Sequence, residues 1–388
     1  MTSRSSPAVS ASGPRTLHLI DSGGPGGAET VFAQLVVAAH QRAQNIGAVV
    51  PYDGWLAERL RSGGVEPVVQ PSKGSFNLGL ARRLIRLMRA GRGELIHAHL
   101  LGSSVYAAAV GMIVGCPVVA VFHGATDLRQ AGTLLALKRW LLARRHVTVV
   151  AVSHAVRDAL LEWGVDPQHM AVIINGVDTI AYTPGTSSLL REELGLSADV
   201  RIVGAVGNVR VAKAYEVFVR AAARVVQALP HVHFVVAGQA AKADVDALLR
   251  LRGQMGIDEN LHFIGFRSEG AALYQSLNVF ASSASSEGLP LSFLEAMACG
   301  VPIAATANEG AQQLLTQTGG GLLSPVGDVA ALAANIVALL SDEPLANALA
   351  ATGRAAVERG FSLAATLENY AALCDRVTDK ASLHPASL

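Results

Sequence analysis

The sequence predicts an α/β protein built as two doubly wound parallel-sheet domains. Three observations carry that prediction. The chain has 388 residues, enough for two domains with a sizeable core in each. Hydrophobic residues make up 51% but aromatic residues only 5%, which suits alternating strands and helices better than a sandwich of aromatic-rich strands. Finally, short Val- and Ile-rich runs alternate with helical patterns through both halves.

In the first half, strands are expected at residues 16–20, 46–50, 95–97, 118–121 and 147–152. Amphipathic helices are expected between them at 29–43, 81–90 and 134–144. The apolar stretch 103–122 is long enough to suggest a membrane span. Gly111, Gly115 and Pro117 punctuate it, so a buried helix followed by a buried strand is expected instead. The second half repeats the plan, with strands at 202–206, 233–237, 261–264, 279–281 and 302–305. The resulting division is a tail at 1–13, a first domain at 14–182, a turn-rich linker at 183–199 and a second domain at 200–360. A closing helix at 361–378 is expected to pack back towards the first domain, ahead of a tail at 379–388. Ligands of open parallel sheets bind at the carboxyl ends of the strands, so two such domains facing each other would form an interdomain cleft.

Charge is distributed unevenly. Residues 1–185 carry 17 Lys and Arg against 11 Asp and Glu, a net of +6, whereas residues 186–388 carry 14 against 19, a net of −5. A basic first half and an acidic second half suggest different partners for each. Nucleic acid is not an expected partner, because no stacking aromatics interleave with the basic residues. Cys116, Cys299 and Cys374 are sparse, odd in number and without metal-ligand spacing, which fits a reducing compartment. The polar opening segment has no apolar core of a signal peptide. The protein is therefore expected to be cytoplasmic.

The residues richest in chemistry follow the strand at 279–281, in the run SSASSEGLPLSFLEAMACGVPIAAT. Pro290 is placed at the first helical turn, where its missing N–H costs nothing, and Gly300 ends the helix. A helix amino end beyond a strand's carboxyl end offers free N–H groups and partial positive charge to a diphosphate. Glu287 before this helix and Glu295 within it are carboxylates able to accept hydrogen bonds from sugar hydroxyls. Acids near a helix start also have an ordinary structural explanation, so the pair alone leaves both readings open.

This segment resembles the signature of glycosyltransferase family 4, retaining enzymes of GT-B architecture with two facing Rossmann-like domains. Other stretches agree in order. Gly26 and Gly27 with Ala28-Glu29 are similar to the family's glycine-rich loop. Residues 96–99 (IHAH) and 122–124 (FHG) resemble its next two motifs, and 175–178 (NGVD) its hinge. Gly207 to Lys213 resembles its basic phosphate loop, and residues 320–323 with Gly327-Asp328 resemble its late turns. The likeness covers roughly residues 16–376.

The resemblance implies roles. Glu295 would hold the donor's ribose hydroxyls, and Glu287 would contact the transferred sugar. The backbone at Leu289, Pro290, Leu291 and Ser292 would line sugar and phosphate. Lys213 would stabilise the departing diphosphate, His123 would face the transferred sugar, and the region of Gly265 and Arg267 would border the base. Taken alone, His123 equally suits an ordinary strand-end histidine. Asn208 stands where the family usually has Arg, and Arg210 is the expected substitute. Pro290 and Asn308-Glu309-Gly310 replace usual glycines, so sugar specificity is left open.

No cofactor is expected beyond a nucleoside-diphosphate sugar as donor substrate, with a UDP-sugar ahead of a GDP-sugar. The acceptor implied is a glycan or lipid-linked molecule of cell-surface polysaccharide or lipopolysaccharide synthesis. No metal site is expected. Asp244-Val245-Asp246 reads as a helix start remote from any strand end, and His97 and His99 are read as facing opposite sides of their strand. Glu287 and Glu295 share one loop and helix and cannot flank an anomeric carbon as an opposed pair. A double displacement is therefore not expected, and the family resemblance implies front-side replacement with retention instead. Arg82, Arg83, Arg86 and Arg89, and the stretch 134–145, form basic amphipathic patterns able to lie on an anionic membrane as a peripheral contact at its inner face. The alternative is that their apolar faces pack on the sheet. A sugar-nucleotide epimerase and a non-catalytic sugar-nucleotide-binding protein use the same architecture and remain rival readings.

Overall fold

The computed structural model describes residues 15–71, 77–91, 93–124, 128 and 134–383; the expected tail at 1–13 and the last residues of the tail at 379–388 lie outside them. The chain divides into two compact units. The first comprises the described residues up to Val152, then Val156–Ile173, and those from Leu367 onward; the second comprises Ser153–Ala155 and Ile174–Thr366.

The first unit holds a parallel sheet of β1 (Thr16–Ile20), β2 (Ile46–Val50), β3 (Val68–Val69), β4 (Leu95–His99), β5 (Val118–Phe122), β6 (Val147–Ala151) and β7 (Met170–Val172). Its order is β3-β2-β1-β4-β5-β6-β7. Every residue of β1, β4 and β5 is buried, as central strands covered on both faces require. Helices α1 (Gly27–Gln41), α2 (Trp55–Ser62), α3 (Leu78–Gly91), α4 (Leu101–Val114), α5 (Leu135–Leu142) and α6 (His154–Trp163) fall between the strands. The stretch 103–122 is thus most of α4 followed by β5. Among the described residues, no single helix is long and apolar enough to cross a membrane.

His97 and His99 do not face opposite sides. Two residues apart on a strand return to the same face, and their rings lie 4.9 Å apart between centroids.

The second unit has the order β10-β9-β8-β11-β12-β13, all parallel. Its strands are β8 (Arg201–Val206), β9 (Val232–Ala237), β10 (Leu261–Gly265), β11 (Val279–Ser282), β12 (Ile303–Thr306) and β13 (Gly321–Ser324). Its helices are α7 (Leu189–Leu194), α8 (Tyr215–Ala228), α9 (Lys242–Met255), α10 (Ala271–Gln275), α11 (Leu291–Ala298), α12 (Glu309–Thr318), α13 (Val329–Ser341) and α14 (Glu343–Gly360). Along β11 the side chains alternate between two cores: Phe280 joins Phe293 and Ile303 on one face, while Val279 and Ala281 join Ile336 on the other. Burying each such aromatic or branched side chain contributes about 1.5–3 kcal/mol, so both faces hold the sheet.

The stretch 183–199 is not a free linker. It contains α7, whose Leu190 is fully buried, and Arg191 donates to the carbonyls of Val200 at 2.9 Å and Ser276 at 3.1 Å. Two consecutive leucines and a guanidinium with backbone acceptors are enough to fold the segment onto the second unit. The chain changes unit earlier, at Ile174. The closing helix α15 (Leu363–Leu383) contributes the buried Tyr370, whose ring lies 5.4 Å from that of His97.

Candidate functional site

In an open parallel sheet, the crevice forms where the strand order reverses. In the second unit that point lies between β8 and β11. The loop after β8 delivers Lys213, and the loop after β11 delivers Glu287. The two form a half-buried ion pair, Lys213 Nζ to Glu287 Oε1 at 2.5 Å. The loops are stitched together by backbone. Ser285 N–H donates to the Ala212 carbonyl at 2.8 Å, and the Ser283 hydroxyl donates to the Lys213 carbonyl at 2.9 Å.

The Glu287 loop is also fixed from below. Asn308 caps α12 by accepting from Ala311 N–H at 3.0 Å, and its amide donates to the Ala284 carbonyl at 2.9 Å. A Cβ at Gly310 would stand 2.6 Å from the Glu287 carbonyl oxygen, so only glycine lets this helix approach so closely. The Asn308 and Gly310 variation therefore has a structural role in holding the loop.

Pro290 is the N-cap of α11 rather than its first helical residue, with φ −75° and ψ 98°. Leu289, Leu291 and Ser292 keep partial exposure, so the start of this helix is not sealed in the core. One turn further on, Glu295 receives a hydrogen bond from the Tyr274 hydroxyl on α10. Burial pushes its carboxyl up to about 7, against the opposing pull of hydrogen bonds from Tyr274 and Tyr182. Neither tyrosine stands out in the sequence. They belong to segments far from Glu295, and only the fold brings them together.

Gly207, Asn208, Arg210 and Gly265 gather in the same unit. Asn208, Arg210 and Gly265 line a cavity of about 750 Å³ together with Gly238, Gln239 and Asp244. Gly207 N–H donates to the Ala237 carbonyl at 2.8 Å, and Gly238 N–H to the Gly265 carbonyl at 2.8 Å, which ties the ends of β8, β9 and β10 to one another. A Cβ at Gly238 would lie 2.1 Å from the Gly207 carbonyl oxygen. A glycine just past a strand is a signal that would have found this position. Asn208 accepts from Gln239 N–H at 2.9 Å, so it latches two loops, whereas the exposed Arg210 reaches the cavity as a charge. Asp244 is not remote from strand ends, because it shares this cavity with Gly265 at the end of β10. Arg267 does not line the cavity; it pairs with Glu193 of α7 and lies 3.9 Å from Glu269.

In the first unit the order reverses between β1 and β4. Gly26 is the N-cap of α1 and Gly27 its first residue. A Cβ at Gly26 would meet the Glu29 carboxylate at 2.4 Å, so this glycine makes room for a buried acid. His123 follows β5, with its Nε2 2.9 Å from His99 Nδ1.

Residues 187–356 match the family described as Glycosyl transferases group 1, and residues 25–181 match Glycosyltransferase Family 4. The chain belongs to this glycosyltransferase family. Among relatives of this glycosyltransferase family member, D-inositol 3-phosphate glycosyltransferase of Mycolicibacterium gilvum is 31% identical over 227 residues, 57% of this chain and 49% of that protein. The enzyme of the same name from Mycolicibacterium smegmatis is 32% identical over 228 residues, 57% of this chain and 50% of that one. The chain thus spans about half the length of the curated relatives it matches. Among solved structures, Anabaena HepE in complex with UDP and glucose superimposes with a TM-score of 0.82 at 24% identity, covering 94% of this chain and 100% of that one. WaaG, described as a glycosyltransferase involved in lipopolysaccharide biosynthesis, gives 0.73 at 16% identity, with 92% and 99% covered. At such identities the likeness establishes the fold, which is GT-B.

Proposed function

We propose that this family member transfers a hexosyl unit, with retention, from a nucleoside-diphosphate sugar to a hydroxyl of a glycan or lipid-linked acceptor. A UDP-sugar is the first choice of donor, in keeping with the UDP and glucose named for HepE. The setting is cell-surface polysaccharide or lipopolysaccharide assembly, the second of which is named for WaaG. The observation that carries this reading is the Lys213–Glu287 pair at the reversal of the second sheet. Lysine meets the diphosphate's charge as the bond to the sugar breaks, while the carboxylate accepts from sugar hydroxyls. Glu295 grips the ribose, and the cavity lined by Asn208, Arg210 and Gly265 receives the base.

Glu287 and Glu295 belong to one loop and helix and cannot flank the anomeric carbon as an opposed pair, so this reading uses no double displacement. The bond between the anomeric carbon and the phosphate oxygen breaks on the face from which the acceptor oxygen arrives. The departing phosphate oxygen takes the acceptor's proton, which balances the step without a protein base or a metal ion.

A peripheral membrane contact is part of the proposal. The two basic patterns separate here: Leu80, Leu84 and Met88 bury the apolar face of α3, but Leu135, Leu137 and Trp140 of α5 stand 40–45% exposed. Between Glu94 and Asp158 the sequence carries one acid, Asp127, against Arg129, Lys138, Arg139, Arg144, Arg145 and Arg157. An exposed aromatic and aliphatic patch with basic neighbours suits an anionic lipid surface.

The deciding experiment is a thermal-shift panel with UDP, GDP and ADP, alone and as sugar conjugates, in which selective binding raises Tm by mass action. Failure of every nucleotide sugar to raise it overturns the proposal. Incubation with donor alone then separates an epimerase, which needs no acceptor, from a transferase. An inverted product would end the front-side mechanism.

A further inference from the structure

Four histidines of the first unit form a continuous ring stack. Register pairs His18 with His97 across β1 and β4. Their centroids are 5.1 Å apart, those of His97 and His99 4.9 Å, and those of His99 and His123 5.1 Å. Phe32 closes on His99 edge-on at 5.3 Å, and Tyr370 covers His97. His18, His97 and His99 are 4%, 1% and 0% exposed. Among the described residues, His18 Nδ1, His97 Nε2, His99 Nε2 and the Tyr370 hydroxyl have no hydrogen-bond partner. Burial lowers the basicity of all four rings, His18 to about 4 and His123 to about 3, so the stack is neutral at physiological pH.

A neutral imidazole has one N–H and one lone pair. Two arrangements therefore satisfy the 2.9 Å contact between His99 Nδ1 and His123 Nε2. If His123 Nε2–H donates, the proton of His99 must sit on Nε2, leaving a buried N–H without an acceptor among the described residues. If His99 Nδ1–H donates, the same buried position holds only a bare lone pair. Orphaned N–H groups are the rarer and costlier outcome.

We propose that His99 is a positioning residue that fixes His123 as its Nδ1–H tautomer. His123 then offers a hydrogen-bond donor beyond β5, and its basic nitrogen is already taken. It can donate to a sugar hydroxyl or phosphate oxygen but cannot serve as a general base. This deepens the reading of His123 as a sugar-contacting residue and rests on it only for the identity of the atom that accepts.

The test is a long-range ¹H–¹⁵N correlation spectrum of the histidine-labelled full-length chain, with His123 assigned by the signals lost in His123→Ala. The expected result is a protonated Nδ1 and unprotonated Nε2 for His123 in the ligand-free protein. A protonated Nε2, or an averaged pair of exchanging tautomers, in the unsubstituted chain overturns the proposal. His99→Phe keeps an aromatic ring but removes the donor and should release His123 to exchange between tautomers. His99→Asn, with an amide N–H on the same branch, should restore Nδ1–H. A packing role alone would leave the tautomer unchanged in both. Adding a UDP-sugar should then move the Nδ1–H resonance. An unmoved resonance would count against the sugar-contacting role while the tautomer assignment stood.

Discussion

Glu295 offers the sharpest test of the donor site, because its two protonation states should bind ribose very differently. A carboxylate accepts from both ribose hydroxyls, whereas a protonated carboxyl must use an oxygen to donate. Burial raises this carboxyl to about 7. If the bound form is the carboxylate, apparent affinity follows the ionised fraction, which is about nine-tenths at pH 8 and about one-tenth at pH 6. The dissociation constant of a UDP-sugar should therefore rise about tenfold between pH 8 and pH 6, equivalent to about 1.4 kcal/mol. Calorimetric titration with the sugar conjugate is the right assay, since its diphosphate has no ionisation of its own in this range. Glu295→Gln should flatten the profile and weaken binding at pH 8 by about 1.5–3 kcal/mol, the usual worth of hydrogen bonds to a charged group.

Stability provides an independent sign. A carboxyl raised from 4.5 to about 7 binds more protons folded than unfolded, so its contribution falls as pH climbs through that window. At pH 8 the ionised group is a burden, and Glu295→Gln should raise the Tm of the ligand-free protein. The shift caps the gain at about 3 kcal/mol, and solvent at this partly exposed residue reduces it to the order of 1 kcal/mol. A variant that gains stability at pH 8 and loses donor affinity is the expected pair of results. A flat wild-type binding profile, or a pH-dependent profile that survives in Glu295→Gln, refutes the reasoning.

Three further outcomes are expected. Glu287→Gln should release Lys213 from its ion pair, so free UDP binds more tightly in calorimetry while transferase turnover falls; Lys213→Met should weaken both. Gly238→Ala pushes a methyl group to 2.1 Å from the Gly207 carbonyl oxygen, against backbone that cannot rotate away. It should cost about 1–3 kcal/mol in chemical denaturation and abolish any nucleotide-induced Tm rise. Trp140→Glu, on the exposed side of α5, should reduce flotation with anionic vesicles and leave turnover on a soluble acceptor unchanged.

Legibility in the sequence follows how local each signal is. Strands β1 and β2 have the bounds that the sequence predicts, because both are short, mostly apolar runs bounded by turn residues. The edge strands β3, β7 and β13 leave no such mark. They are two to four residues long and partly exposed, so little apolar run distinguishes them from loops. Glu287, Lys213 and Gly207 are legible because a motif in one stretch of chain carries them. What completes the site is non-local. Tyr274 meets Glu295 only once α10 packs beside α11, and Asp244 reaches the cavity only because β9 and β10 are neighbours. The same limit explains the histidines. Motif reading isolates His123, but what constrains it lies on β1 and β4, placed alongside by register. A sequence pattern names candidate groups; their protonation states are set by neighbours that only the folded chain supplies, and in this protein both the Glu295 carboxyl and the His123 ring are shifted by such burial and contacts.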